Sequence, residues 1–424
     1  MSYKKETQCV QAGYTPGNGE PRVLPIYQST TYKYDSSEHL GKLFDLEADG
    51  HMYSRISNPT VSHVEEKIAA LEGGVGALCT TSGQAANLLA ILNITSSGEN
   101  FVSLSSIYGG TINLFAVTLK RLGIEVRFIT PDMTDEQVEA LFDDKTRLVF
   151  GETIANPALD VLDIEKYAKI AHAHNIPLVV DNTFATPVLC RPFEFGADIV
   201  VHSTTKYMDG QATVVGGVIV DSGNFDWTVD NKFPGLTEPD ESYHGVVYTK
   251  NFGKAAYITK ARVQLMRDFG VLPPAVSAFL LNSGLTTLHL RMERHSENAL
   301  KVAKYLENND KVAWVNYPGL ESSKDFELAK KYLPGGCSGV ISFGVKGGRD
   351  AAVKFMDSLK LAAIVVHVAD ARTCVLHPAS TTHRQLTDEQ LVAAGIGADL
   401  VRMSIGIENV DDIIEDIEQA LCQA

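Results

Sequence analysis

Three stretches of this chain end in residues able to do chemistry. "DIVVHSTTK" (198–206) runs into Ser203, Thr204, Thr205 and Lys206. "PLVVDNT" (177–183) carries Asp181, and "GALCTTSGQAAN" (76–87) reaches a Ser82–Gly83 turn that opens a helical pattern. In an open α/β sheet, ligands sit beyond the carboxyl ends of the strands, where all three would lie. The Ser82–Gly83–Gln84 turn would offer helix-start N–H groups to an anion such as phosphate, although Ser-Gly before a helix is more often an ordinary cap. Ser203 and Thr205 would add hydroxyl donors to the same anion. An amine with the usual lysine pKa of about 10.4 is protonated at neutral pH, so Lys206 becomes a nucleophile only if held and desolvated beside a carbonyl. Each residue alone has a commoner role: a surface lysine, a capping serine, a salt-bridged aspartate. Together they form a more specific set. Pyridoxal phosphate needs an imine-forming lysine, a carboxylate that keeps its ring nitrogen protonated, and a phosphate cradle.

The elements that must position these residues follow from the hydrophobic pattern. Seven apolar runs read as strands: "GALCTT", "NFVSL", "EVRFIT", "RLVFGET", "PLVVDNT", "DIVVHS" and "VVGGVIV". Helical patterns such as "TINLFAVTLKRLG" and "EKYAKIAHAHN" separate most of them. This alternation predicts a mainly parallel sheet covered on both faces. Residues 1–60 have little periodicity and several turn signals, and read as an extended arm. A long helical pattern over 277–308 precedes strands "GVISFGV", "AAIVVHV" and "LVRMSIGI" mixed with helices "RDAAVKFMDSLK" and "VDDIIEDIEQAL". These predict a smaller α+β domain from about residue 275.

With 424 residues, 45% of them hydrophobic and 21% charged, the chain has material for a large core and more than one domain. A net charge of −15 argues against nucleic acid or an anionic membrane surface as partner. The first residues, "MSYKKETQCVQAGY", have no apolar run of the secretory kind, and "LAAIVVHVADA" is too short to span a bilayer. The six cysteines are scattered without a CxxC, which predicts free buried thiols and a cytoplasmic setting. A nicotinamide-dependent dehydrogenase is disfavoured, because Cys79 stands in "LEGGVGALC" where the third small residue of a dinucleotide loop belongs. His172 and His174 are two apart on a predicted helix and face different sides, so no metal site is expected. On these residues alone, a non-enzymatic nucleotide-binding module of the same sheet type stays open.

Further motifs extend the set: "YSRISNPT" (53–60), "TTSGQAA" (80–86), "YGGT" (108–111), "VVDNTFATP" (179–187), "STTKY" (203–207), "HPASTTH" (377–383) and "VRMSIGIE" (401–408). In this order, and over essentially the whole chain, they resemble the Cys/Met-metabolism family of pyridoxal-phosphate enzymes. The resemblance implies the aspartate-aminotransferase-like fold (type I), with a large, mainly parallel seven-stranded sheet domain and a smaller C-terminal α+β domain. The expected divisions are an arm over 1–60 contacting a neighbouring subunit, a cofactor-binding domain over 61–274 and a C-terminal domain over 275–424.

Carried over by motif, Lys206 would be the Schiff-base lysine and proton carrier, and Asp181 the partner of the pyridine nitrogen. Ser82, Gly83, Gln84, Ser203 and Thr205 would hold the phosphate. Tyr108 would stack on the cofactor ring and assist catalysis. Tyr53 and Arg55 would reach the phosphate of a neighbouring subunit's cofactor, with Tyr53 also near substrate. Arg402 lies in an apolar alternating run where an unpaired guanidinium is costly, and resembles the fork that grips a substrate α-carboxylate. His367 stands where relatives place a small polar residue near the substrate. The implied partners are an amino-acid substrate, a sulfur donor and further copies of the chain, as a dimer of dimers. Within the family, "KLFDLEADGHMYSRISNPT", "FPGLTEPDESYHG", "SGLTTLHLRMERHSENA" and "HPASTTHRQLTDEQL" resemble the O-acetylhomoserine sulfhydrylase branch. That implies γ-replacement giving homocysteine in methionine biosynthesis. The alternatives are a methionine γ-lyase or a cystathionine γ-synthase or lyase; Gly110, where such lyases carry cysteine, speaks against the first.

Overall fold

All seven predicted apolar runs pair into one sheet in the order β3-β2-β4-β5-β6-β7-β1. The strands are β1 (Gly76–Thr80), β2 (Asn100–Leu104), β3 (Glu125–Ile129), β4 (Thr146–Glu152), β5 (Leu178–Asp181), β6 (Ile199–His202) and β7 (Gly217–Asp221). β7 runs antiparallel to both β6 and β1, and the other pairings are parallel. The carboxyl ends of β1, β2, β4, β5 and β6 therefore emerge at one edge, together with the first residues of β7. The central strands are buried along nearly their whole length, which explains why they read as continuous Val/Ile/Leu runs rather than alternating ones. This computed structural model describes residues 3–381 and 397–424, so the end of "HPASTTH" and all of "RQLTDEQL" lie outside the described residues. Among the described residues, no helix is long and apolar enough to cross a membrane.

The second sheet has the order β10-β11-β12-β9-β8. It comprises β8 (Val312–Asn316), β9 (Val340–Val345), β10 (Ala363–Ile364), β11 (Cys374–Leu376) and β12 (Leu400–Ser404). β12 is antiparallel to β11 and β9, and β10 joins the edge parallel to β11. The helices Leu288–Glu307 and Gly348–Ser358 pack on it, and Val410–Leu421 packs against those two helices. Two of its strands were not expected from the pattern: β8, which is partly exposed, and the three-residue β11.

The pattern over 277–308 reads as one helix but folds as two, Ala275–Thr286 and Leu288–Glu307, broken at Thr287. The break serves the site. Arg291 donates to the carbonyls of Tyr207 (2.6 Å) and Gly284 (2.7 Å), tying the helix pair to the loop that follows Lys206. Gly284 is pressed against that same loop, where an added Cβ would come within 2.4 Å of the Asp209 carbonyl oxygen. From the other side, the hydroxyl of fully buried Tyr207 accepts from the Gly339 N–H at 2.9 Å, which anchors the segment to the second sheet.

The arm is less extended than expected, with short helices at Lys5–Gln11 and Ser37–Phe44. The second is started by Ser36, whose hydroxyl accepts from the His39 N–H. The "SNPT" end of the arm motif has a structural task. Asn58 caps the helix Pro59–Glu72, its side chain accepting from the Thr60 N–H and donating to the Tyr27 carbonyl, and Gly73 ends that helix at φ 85°. All six cysteines are free; Cys422 is exposed, against the expectation that every thiol is buried.

Candidate active site

Where the strand ends of the large sheet meet the second sheet, a cavity of about 740 Å³ opens. Lys206, Ser203 and Thr205 line it from the end of β6, Asp181 from β5, and Tyr108 from the loop after β2. Ser82, Gly83 and Gln84 line it from the helix start after β1, and His367 and Arg402 face it from the second sheet. Tyr53 and Arg55 do not. They are exposed outside it, with the Arg55 guanidinium 5.5 Å from the centre of the Tyr53 ring.

The helix Gly83–Leu92 begins at this cavity, and the Ser82 hydroxyl accepts from the Ala85 N–H at 3.1 Å. Ser82 is thus a true cap. The anion cradle rests on the backbone of the turn and on the hydroxyls across from it. Two glycines bring these surfaces together. A Cβ on Gly83 would lie 2.7 Å from Ser203 Cβ, and one on Gly217 would lie 2.2 Å from the Ser82 carbonyl oxygen. Only bare backbone lets the helix start approach β6 and β7 this closely. Thr205 is fixed by accepting from the Gly216 N–H at 3.0 Å, and the Gln84 amide reaches Thr111 at 3.2 Å.

Asp181 is held on one oxygen by Thr183, through its hydroxyl (2.5 Å) and its N–H (3.0 Å). The Thr183 oxygen in turn accepts from the Ser203 N–H at 2.8 Å, linking the β5 and β6 ends. Glu152 lies in register with Asp181 on neighbouring β4. Burial raises both carboxyls above their ordinary range, and the Asp181 charge pushes Glu152 higher still. A cation placed against Asp181 would relieve that cost, as a protonated ring nitrogen does. Behind them His202 and Glu72 form a wholly buried pair at 2.6 Å.

Glu152 was not anticipated, although the strand-end rule that singled out Asp181 applies to it equally. It accepts from the N–H groups of Tyr108 (2.7 Å) and Asn156 (3.2 Å). Asn156, also unanticipated, accepts from Arg402 at 2.9 Å. A single carboxyl thereby connects the exposed Tyr108 ring to the Arg402 guanidinium. Arg402 has no carboxylate partner among the described residues; its other contact is the His367 carbonyl at 3.4 Å. Burial lowers its pKa, yet a guanidinium stays charged. The site therefore contains a buried cation in need of an anion. Lys206 stands nearby, its amine pushed down to about 8, chiefly by burial and then by Arg402. Its Nζ lies 3.4 Å from His367 Nδ1. His172 and His174 lie elsewhere and point apart, to Asp198 and Glu139 respectively.

An amine made nucleophilic, a carboxyl suited to a ring cation and a glycine-floored anion cradle fit pyridoxal phosphate. A family model described as Cys/Met metabolism PLP-dependent enzyme matches residues 6–422. The chain belongs to this family. As a Cys/Met-metabolism enzyme it uses pyridoxal 5′-phosphate. Its fold is that of a Campylobacter jejuni O-acetylhomoserine (thiol)-lyase solved with N′-pyridoxyl-lysine-5′-monophosphate. That match has a TM-score of 0.95 and 37% identity, and covers 99% of this chain and 100% of the other. The chain is also 49% identical to the homocysteine/cysteine synthase of Saccharomyces cerevisiae, over 98% of this chain and 97% of that one. It is 46% identical to the O-acetyl-L-homoserine sulfhydrylase of Leptospira meyeri, over 99% and 97%.

Proposed function

We propose that this protein converts O-acetyl-L-homoserine and a sulfur nucleophile, sulfide or an equivalent, to L-homocysteine and acetate, as a γ-replacement enzyme of methionine biosynthesis. The observation that carries the reading is the pairing, in one cavity, of an amine pushed down to about 8 with a buried guanidinium that lacks a carboxylate partner among the described residues. This pair can receive and process an amino acid. The full-length relatives named for homocysteine synthesis support the acyl ester and the sulfur donor as its partners.

When bound, pyridoxal phosphate supplies an electron sink for negative charge developed at the amino acid's Cα. Lys206 would anchor it. The backbone of Gly83 and Gln84 would hold its phosphate with Ser82, Ser203 and Thr205, and Asp181 would keep a proton on its ring nitrogen. Arg402 grips the substrate carboxylate as a two-pronged donor, oriented by Asn156 and Glu152. Tyr108 would cover the ring. Lys206, whose amine lines the same cavity, is the base that takes the Cα proton and carries a proton at Cβ. Gly110 belongs with Tyr108: a Cβ there would fall 2.5 Å from its ring, so a larger residue would move the tyrosine.

Tyr53 and Arg55, outside their own chain's cavity, serve the site of a neighbouring copy, which makes the enzyme a homo-oligomer, read as a dimer of dimers. The same proposal covers the cytoplasmic location and the division at residues 60 and 274. The experiment is product analysis. Purified protein supplied with cofactor is incubated with O-acetylhomoserine, O-succinylhomoserine or methionine, each with and without sulfide. Homocysteine and acetate are expected from the acetyl ester with sulfide. 2-Oxobutyrate and ammonia released from methionine as the main reaction would overturn the assignment in favour of a lyase.

A further inference from the structure

His367 faces the cavity between Val366 and Val368, which also line it. Its Nδ1 lies 3.4 Å from Lys206 Nζ, while its Nε2 is buried without a hydrogen-bond partner among the described residues. The charged and titratable groups around it are Lys206, Arg402, Cys374, Asp370, Asp209 and Arg372. Burial and the Lys206 charge hold the imidazole below its ordinary pKa, so near pH 7 it is neutral with one N–H. A released lysine amine, charged or not, has hydrogens to give, and Nδ1 is the acceptor within its reach. The ring hydrogen then sits on Nε2, as a buried donor with nothing to donate to. Such a group is costly until an acceptor arrives.

We infer that the Nε2–H of His367 donates a hydrogen bond to the ester carbonyl oxygen of the substrate's acyl group and forms the subsite of the leaving group. The inference rests on the γ-replacement reading. As the Cγ–O bond breaks, its electron pair goes to oxygen and the acyl group departs as a carboxylate, which is stable at neutral pH without a proton. The Nε2 hydrogen bond strengthens as that charge develops, so it favours the transition state over bound substrate. A single neutral donor between two valines suits a short, uncharged acyl tail. A succinyl tail would bring a second carboxylate needing a cation of its own.

Vinylglycine has the substrate's carbon skeleton without a leaving group, and sulfide addition to it also yields homocysteine. In His367→Ala, kcat/KM for O-acetylhomoserine is expected to fall roughly tenfold to a hundredfold, while sulfide addition to vinylglycine, which loses only the contact to Lys206, falls much less. His367→Asn, with an amide N–H, should recover part of the loss. Binding gives an independent readout. With glycine filling the Arg402 grip, the affinity of holoenzyme for ¹³C-acetate, followed by NMR line broadening, should drop in His367→Ala at unchanged cofactor content. Equal losses on both substrates, or unaltered acetate binding, would overturn the subsite. A wild-type protein inactive on both substrates would overturn the γ-replacement reading instead, and this inference with it.

Discussion

The lysine and the arginine of the cavity each carry a charge that their surroundings oppose, and both costs point to missing ligands. Lys206 titrates near 8 because burial and the Arg402 charge disfavour its ammonium form. Its neutral, nucleophilic form therefore predominates above pH 8 and diminishes about tenfold per pH unit below it. Reconstitution of cofactor-free enzyme with pyridoxal phosphate should accelerate as pH rises through about 8 and then level off. Stopped-flow absorbance can follow it; a rate still climbing toward pH 10 would show an unperturbed lysine. In Arg402→Ala the midpoint should move up, because a neighbouring positive charge is gone. The same variant should raise KM for the amino acid by ~2–4 kcal/mol, the loss of a charged carboxylate contact. An unchanged KM would make Arg402 structural. At this scale Lys206, Asp181 and Arg402 were legible because each is a costly residue at the end or middle of an apolar run. Asn156 and Thr183 were not. They act by orienting a neighbour, and nothing in a polar loop residue's type or spacing reveals which neighbour it will meet.

Strand ends and helix starts form the next level. The seven strands of the large sheet were legible because burial on both faces demands unbroken apolar runs, and those runs end where chemistry begins. The second sheet was less so: β8 is half-exposed and β11 has three residues, so neither shows a period. The break at Thr287 was hidden because the apolar periodicity continues through it. Its cause is tertiary, the Arg291 bonds to the loop after Lys206. The cradle makes its own prediction. Gly83→Ala puts a Cβ 2.9 Å from the Ser203 Cα, so the helix start must move off β6. Overpacking of this kind costs ~1–3 kcal/mol, and cofactor affinity, read by equilibrium dialysis, should weaken on that scale while the protein still folds. Cofactor binding at wild-type strength would show that the turn does not hold the phosphate.

At the scale of the whole molecule, the cavity needs both sheets of one chain, and the account adds an arm from a second copy. Arg55 and Tyr53 are exposed on their own chain. If they complete a neighbour's site, Lys206→Ala and Arg55→Ala, each impaired alone, should complement when co-refolded. In an equal mixture roughly a quarter of the sites combine an intact lysine with an intact arm, as a symmetric dimer requires. Activity no greater than the mean of the separate variants would place Arg55 outside the site. Everything rests on which amine carries the cofactor, and the chain contains a built-in control. Lys260 is also buried and also pushed down to about 8, but its Nζ donates to the Asn93 carbonyl at 2.8 Å and does not line the cavity. Borohydride reduction of the yellow holoenzyme followed by peptide mass mapping decides between them. The account predicts the pyridoxyl mass on Lys206; the label on Lys260, or on any other lysine, would contradict it.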